Sequence, residues 1–262
     1  MLLVIDVGNT NIKLGVFDGK KLRESWRISV SVVRTADEFG IVFRDLIIAR
    51  GLKFEDIDSV IMSSVQPPLN YTIAHACEYY LGQVPLMVGP GIKTGLNIKY
   101  LNPQEVGADR IVNSVAAYKL YGGPCIVVDF GTATTFNAIS EKGEFVGGCI
   151  APGIKTSLDS LVNNTARLPR VELARPNSVI GKTTASNMQA GIVYGFTGLV
   201  KYIVENFRKT EGFANAKVLA TGGLSELIIN DDPDEQIIDI IDRSLTLTGL
   251  KIIYDMNANS QE

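Results

Sequence analysis

The sequence predicts an α/β protein made of two domains of related topology. Two similar segments carry that reading, DVGNTNIKLG (Asp6 to Gly15) and DFGTATTFN (Asp129 to Asn137), one in each half of the chain. Each follows a short apolar run, LLVIDV or CIVVDF, and each leads into further strands and then alternating helical and extended patterns. The break Gly122-Gly123-Pro124 separates the two series. The expected boundary lies near residues 118–124, giving domains 1–118 and 119–262 with a cleft between them.

In the first half, LLVIDV, NIKLGVF and KLRESWRISV read as a meander of strands, with Asp18-Gly19 as the turn between the last two. Thr35-Ala36-Asp37-Glu38 has the spacing of a capping box and opens an amphipathic helix that Gly51 ends. SVIMSSV (Ser59 to Val65) is nearly continuous in apolar residues, as buried parallel strands are. Pro67-Pro68 starts a helix running to Gly82, and VPLMVG follows as a strand. The segment from Gly89 to Pro103 is rich in Gly and Pro and reads as a functional loop. A helix over Pro103 to Tyr121 closes the half.

The second half restarts with PCIVVDF, ATTFNAIS and EFVGGCIAPG as strands. Helices are expected over Ile154 to Asn163 and Ser186 to Arg208, then a strand KVLAT closed by Gly222-Gly223. The tail from Asp234 to Asn257 reads as helical. There is no low-complexity stretch.

Bulk properties narrow the function. The chain has 262 residues, 46% hydrophobic and 20% charged, as ordinary soluble domains do. A net charge of −3 speaks against a nucleic-acid partner, which leaves a basic footprint. No apolar run approaches the roughly 20 residues that cross a bilayer, so no membrane partner is expected. The first strand begins almost at the N-terminus, so no signal peptide is expected. Cys77, Cys125 and Cys149 are scattered and read as reduced hydrophobes of a cytoplasmic protein. With His75 as the one histidine, a His/Cys zinc site is not expected.

The chemistry is expected at the hairpins. A Gly two residues after a strand-ending Asp allows the backbone to fold back with positive φ. The turn then offers N–H groups with Thr and Asn side chains as an anion-binding concavity, and the Asp stands ready to hold a hydrated cation. One such turn is commonplace. Two of them, Asp6-Gly8-Asn9-Thr10-Gly15 and Asp129-Gly131-Thr132-Thr134-Thr135, point to a polyphosphate held by both halves and hence to a nucleoside triphosphate.

A third constellation is EVGADRIVN, where Gly107 permits close approach and Asp109 and Arg110 stand side by side at the front of a helix. Such a pair is commonly a solvated helix surface. Beside a Gly-rich loop, the carboxylate is placed to take a proton from a substrate hydroxyl. The guanidinium is placed to steady a transferred phosphoryl or clamp a carboxylate. LATGGLSELI reads either as a backbone platform for a base or ribose or as a plain helix-starting turn. GKTT (Gly181 to Thr184) lacks the first glycine and leading strand of a P-loop, leaving Thr183 and Thr184 as substrate-facing or as helix caps. GGCIAPG (Gly147 to Gly153) reads as another close backbone approach.

The order hairpin, hairpin, Gly-Gly resembles the phosphate-1, phosphate-2 and adenosine motifs of the sugar kinase, heat-shock chaperone and actin superfamily. Within it the chain closely resembles type III pantothenate kinases over nearly its whole length. The match runs through DVGNTNIKLG, GADR with Tyr100 ahead of it, DFGTATTFN, GGCIAPG and GKTTASNMQAGIVYG. The resemblance implies two ribonuclease H-like α/β domains, an actin-like ATPase duplication, and ATP-dependent phosphorylation of the primary hydroxyl of pantothenate. It makes Asp109 the general base. It assigns Asp6, Val7, Gly8, Asn9, Thr10, Asn11, Ile12, Lys13 and Thr132 to ATP. Tyr100, Gly107, Ala108, Asp109, Arg110 and Thr184 are implied to line the pantothenate pocket. It further implies Mg²⁺ held through water by Asp6, potassium or ammonium at Asp129, and a homodimer. A different small-molecule kinase of the superfamily, acting on a sugar or carboxylate, is the alternative enzyme. A non-catalytic nucleotide-binding regulator is the alternative class, disfavoured by the intact Asp109 and by a first strand that leaves no room for a helix-turn-helix.

Overall fold

The structure is a computed structural model that describes residues 1–228 and 237–258. Along the chain come strands β1 (Leu2–Val7), β2 (Asn11–Asp18) and β3 (Lys21–Ser29), helix α1 (Ala36–Ile48), β4 (Ser59–Ser64), α2 (Pro67–Leu81), β5 (Leu86–Met87) and β6 (Asn97–Ile98). Helix α3 (Ala108–Tyr121) precedes β7 (Cys125–Phe130), β8 (Ala133–Ile139) and β9 (Glu144–Pro152). Then follow α4 (Ile154–Asn163), α5 (Thr184–Arg208), β10 (Lys217–Gly222), α6 (Ser225–Ile228), β11 (Ile240–Ile241) and α7 (Leu245–Ala258). The described residues of Met1–Leu96, Leu101–Ala116 and Ser244–Glu262 make one compact unit, and those of Asn97–Tyr100 and Ala117–Arg243 a second.

The first unit holds a five-stranded sheet ordered β3-β2-β1-β4-β5, with β1 antiparallel to β2 and parallel to β4. Every residue of β1 is buried because both faces are covered. Leu3, Ile5 and Val7 pack with Phe39 and Phe43 of α1 and Ile73 of α2, while Leu2 and Val4 pack with Val112 of α3 and with Leu247 and Leu250 of α7. Strand periodicity therefore puts Asp6 on the α3–α7 side, at the polar end of an apolar strand. The capping box of α1 forms as expected, Glu38 N–H donating to the Thr35 hydroxyl and Thr35 N–H to the Glu38 carboxylate.

The second unit holds a six-stranded sheet ordered β11-β10-β7-β8-β9-β6. β7, β8 and β9 form an antiparallel meander, and β10 lies parallel to β7. Read from β9 to β11, the order repeats that of the first sheet, with β6 added at the edge. Its core joins Ile126, Val128 and Phe130 to Ile154 and Leu158 of α4 and to Ile192, Phe196 and Val200 of α5.

Four expectations change. The Gly89–Pro103 segment is not all loop, because β6 within it pairs with β9, whose edge it covers. The helix expected from Pro103 begins at Ala108, after a single 3₁₀ turn over Pro103–Glu105. The tail expected to be helical from Asp234 contains β11, and α7 begins only at Leu245; residues 234–236 of that expectation lie outside the described residues. An open edge at β10 decides this: Asp239 N–H donates to Val218 O and Asp242 N–H to Ala220 O. β-Branched isoleucines suit that edge. The C-terminal helix also belongs to the first unit rather than to a continuous 119–262 domain, because its apolar face covers β1.

Candidate functional site

In the first unit the site is built around the end of β1. Asp6 is buried between two registered neighbours, Lys13 on β2 and Ser63 on β4. The Ser63 hydroxyl donates to Asp6 Oδ1 at 2.8 Å, and Lys13 Nζ lies 3.6 Å from Asp6 Oδ2. Lys13 also donates to the Thr246 hydroxyl at the start of α7, at 3.3 Å. The carboxylate is thus fixed by one hydroxyl and one ammonium. Neither Ser63 nor Thr246 was expected from the sequence, since strand register and the return of α7 bring them in.

Beyond Asp6 and Val7, Gly8 N–H donates to Asn11 O at 3.0 Å and closes the turn. The exposed tip carries Asn9, whose Oδ1 accepts from Gln66 Nε2 at 2.6 Å, and Thr10, whose carbonyl accepts from Val30 N–H. Ile12 is buried in the core beneath. Positive φ is not the reason for glycine here, contrary to expectation: neither Gly8 nor Gly131 adopts it. At Gly8 the reason is tightness, because a Cβ there would meet Asn11 O at 3.0 Å; at Gly131 a Cβ would make only an ordinary contact, with Ala133 O at 3.4 Å.

Gly107 and Asp109 lie at the same end of this sheet. Val65 N–H donates to Val7 O, and a Cβ on Gly107 would come within 3.6 Å of Val65 Cγ1. The same Cβ would also collide with Asp109 Oδ1, so glycine is what lets that carboxylate fold back over the helix start. Asp109 Oδ1 accepts from Arg110 N–H at 2.8 Å in the first turn of α3, where the helix dipole favours an anion. Ala108 begins the helix. Arg110 is only 7% exposed, which removes the solvated-surface reading for this residue.

In the second unit, Asp129 ends β7 in register with Thr135 on β8 and Thr221 on β10. Gly222 follows with φ +97, and a Cβ there would lie 2.8 Å from Asp129 Oδ1 and 2.5 Å from Phe130 O. Gly222 thus admits the end of β7, and the Ser225 hydroxyl of α6 donates to its carbonyl. Thr132 sits at the exposed tip, its carbonyl accepting from Gly153 N–H and from the Thr156 hydroxyl. Gly153 is required there because a Cβ would strike the carbonyls of Gly131 and Thr132, the close approach expected of GGCIAPG.

Tyr100 is carried by the β6 segment onto β9, its ring 6.2 Å from that of Phe145. Thr183 is the N-cap of α5, its hydroxyl accepting from Ser186 N–H, so it caps. Thr184, the first residue of α5, is exposed. The structure therefore brings Asp6, Lys13 and the first turn together with Gly107–Arg110 in one unit, and places Tyr100, Asp129, Thr132 and Thr184 in the other. Among the described residues no three His, Cys, Asp or Glu side chains cluster as metal ligands, and no helix is long and apolar enough to cross a membrane.

Two ribonuclease H-like sheets in tandem, each with an Asp-x-Gly hairpin at the end of its first strand, define the actin-like ATPase fold. Solved structures share it. A Campylobacter jejuni protein assigned to the Baf family of transcriptional activators matches at a TM-score of 0.60 and 21% identity, covering 98% of this chain and 99% of that one. MreB 5 of Spiroplasma citri, bound to AMPPNP, matches at 0.53 and 12% identity, covering 99% and 97%. These likenesses establish the fold alone. In sequence, residues 2–206 match the family model of type III pantothenate kinases. A type III pantothenate kinase of Geobacillus sp. (strain WCH70) is 52% identical over 262 residues, all of both chains. The chain belongs to the type III pantothenate kinase family.

Proposed function

We propose that this protein transfers the γ-phosphoryl group of ATP to the primary hydroxyl of pantothenate, giving 4′-phosphopantothenate for coenzyme A synthesis. The observation that carries the reading is the Gly107–Arg110 turn, where a bare Cα lets the Asp109 carboxylate fold back beside a buried arginine. Asp109 accepts the hydroxyl proton as the oxygen attacks phosphorus and ADP leaves. Arg110 steadies the transferred group or the pantothenate carboxylate by paired hydrogen bonds. Tyr100, Gly107, Ala108 and Thr184 complete the pantothenate site, while Asp6 to Lys13 and Thr132 hold ATP. Phosphoryl transfer has a loose transition state, so positioning and charge neutralisation are what these groups supply.

The residues fit the cations this chemistry calls for. Asp6, already bonded to Ser63 and Lys13, suits a Mg²⁺ held through water. Asp129, with Thr135 and Thr221 as strand neighbours, suits potassium or ammonium, which take oxygen ligands. When bound, such ions offset triphosphate charge. A homodimer in the cytoplasm belongs to the same proposal. It is supported by Gly191, Gly195 and Gly198, which are exposed along α5 with open space where a Cβ would point. Interior helix glycines each cost about 1 kcal/mol relative to alanine, and no contact among the described residues asks for them.

The test is Asp109→Asn. The variant keeps its fold, and kcat for pantothenate-dependent ADP formation falls by about 10²–10⁴, the range for loss of a general base. Turnover near the native value would overturn the assignment. A panel of sugars and hydroxy acids, run beside pantothenate, separates this activity from that of another small-molecule kinase.

A further inference from the structure

Thr221 is fully buried, and its hydroxyl oxygen has no hydrogen-bond partner among the described residues. That is unusual, since buried hydroxyls nearly always find one and an unmet one costs its full desolvation. Its place on the strand makes the absence informative. Thr221 pairs with Asp129 across β7 and β10, as Ser63 pairs with Asp6 across β1 and β4. Registered side chains on adjacent strands share a face about 4.8 Å apart. Ser63 spends its hydroxyl on the Asp6 carboxylate at 2.8 Å, whereas Thr221 does not spend its own on Asp129.

The residue beside it is crowded by oxygens: a Cβ on Gly222 would lie 2.8 Å from Asp129 Oδ1 and 2.5 Å from the Phe130 carbonyl, so glycine is what lets both come close. A carboxylate oxygen and a carbonyl oxygen thus stand against Gly222 at the end of β7 and β10, and the residue before it, in register with that carboxylate, carries an uncommitted hydroxyl oxygen. Such a set of oxygens replaces part of the water around a monovalent cation, and a hydroxyl can serve because it has lone pairs to spare.

We propose that Thr221 is a ligand of the monovalent cation held at Asp129, its Oγ1 reserved for the ion. The inference rests on the cation reading of Asp129. Thr221 touches neither ATP nor pantothenate in this proposal. It acts by setting how tightly the cation is held.

The experiment is thermal melting of the full-length protein in choline chloride, titrated with KCl, for the native chain and for Thr221→Val, Thr221→Ser and Asp129→Asn. Potassium raises the native Tm. In choline alone, Thr221→Val melts no lower than native, because valine removes an unmet hydroxyl at nearly constant shape. Its potassium midpoint rises by about tenfold or more, the change that loss of about 1.4 kcal/mol of ion affinity produces. Thr221→Ser restores a midpoint close to native.

A hydroxyl that merely braces the strand gives the opposite pattern, a lower Tm in choline with an unchanged potassium midpoint, and overturns the proposal. So does a potassium response that survives Thr221→Val but vanishes in Asp129→Asn, which leaves the Asp129 reading standing. A native protein whose Tm and activity ignore potassium overturns both readings together.

Discussion

The two Asp-x-Gly hairpins occupy equivalent places in the two sheets, yet the chain surrounds their carboxylates differently. Asp6 has Lys13 opposite it on β2 and Ser63 opposite it on β4. The corresponding neighbours of Asp129 are Thr135 and Thr221, hydroxyls in both places. The turns differ too: Val7 pairs with Ile12, but Phe130 pairs with Thr134, so the second turn is one residue shorter. The first hairpin carries its own cation in covalent form. The second has neutral oxygens in both places, which is what the proposed cation reading of Asp129 calls for. A duplicated element thus differs at single strand positions, with an ammonium beside one carboxylate and hydroxyls beside the other.

The largest effect separates the two carboxylates directly. Asp6→Asn keeps an acceptor for Ser63 but removes the charge that faces Lys13 and, in the proposed function, the Mg²⁺ of the nucleotide. Its kcat falls by about 10²–10³, the scale for loss of one preorganised electrostatic contact, and no potassium concentration restores it. Asp129→Asn behaves otherwise, dropping only to the activity that the native enzyme shows in choline. Measuring kcat for both variants in KCl and in choline chloride decides the matter. Rescue of Asp6→Asn by potassium would erase the distinction.

An intermediate effect comes from making the second hairpin imitate the first. Thr135→Lys places an ammonium opposite Asp129 in the register that Lys13 holds opposite Asp6. The ratio of activity in KCl to activity in choline then falls towards one, because the built-in charge takes the place of the ion. An unchanged ratio would mean that the two strand positions are not equivalent in function.

Much of this was legible in the sequence, for a physical reason. Strands whose faces are both covered must be continuous apolar runs, so LLVIDV, SVIMSS and CIVVDF declare themselves, and caps such as Thr35 with Glu38 depend on local spacing alone. The Gly107-to-Arg110 turn was legible because its steric demand acts within four consecutive residues. Ser63, Thr246 and Thr221 were not. Their meaning comes from register between strands and from a C-terminal helix that returns to the first unit, neither of which leaves a periodic trace. β6 and β11 escaped for a similar cause, since two-residue strands are defined by the edges they cover. Positive φ was expected at Gly8, where the structure shows a crowded turn instead, because sequence cannot tell a left-handed turn from a crowded one.

The smallest effect compares how firmly the two units stay closed. Cys77 lies in the core of the first unit and Cys125 at the start of β7 in the second, both fully buried. Burial pushes each thiol from its ordinary value of 9.0 up to about 12, slightly opposed at Cys125 by the charge of Lys217. In the unfolded chain these thiols lose their protons near 9, while in the folded protein they keep them to about 12. Their contribution is therefore intact below pH 9 and is lost as pH rises from 9 to about 12. At neutral to mildly alkaline pH, an aromatic disulfide reagent labels the half-buried Cys149 first, and Cys77 and Cys125 only as their units open. ATP, bound by the native protein alone, slows both of the later reactions. Mass spectrometry of the labelled peptides at successive times reads the two opening rates separately. Immediate labelling of Cys125 with Cys77 still protected would show the second unit to be the looser of the two.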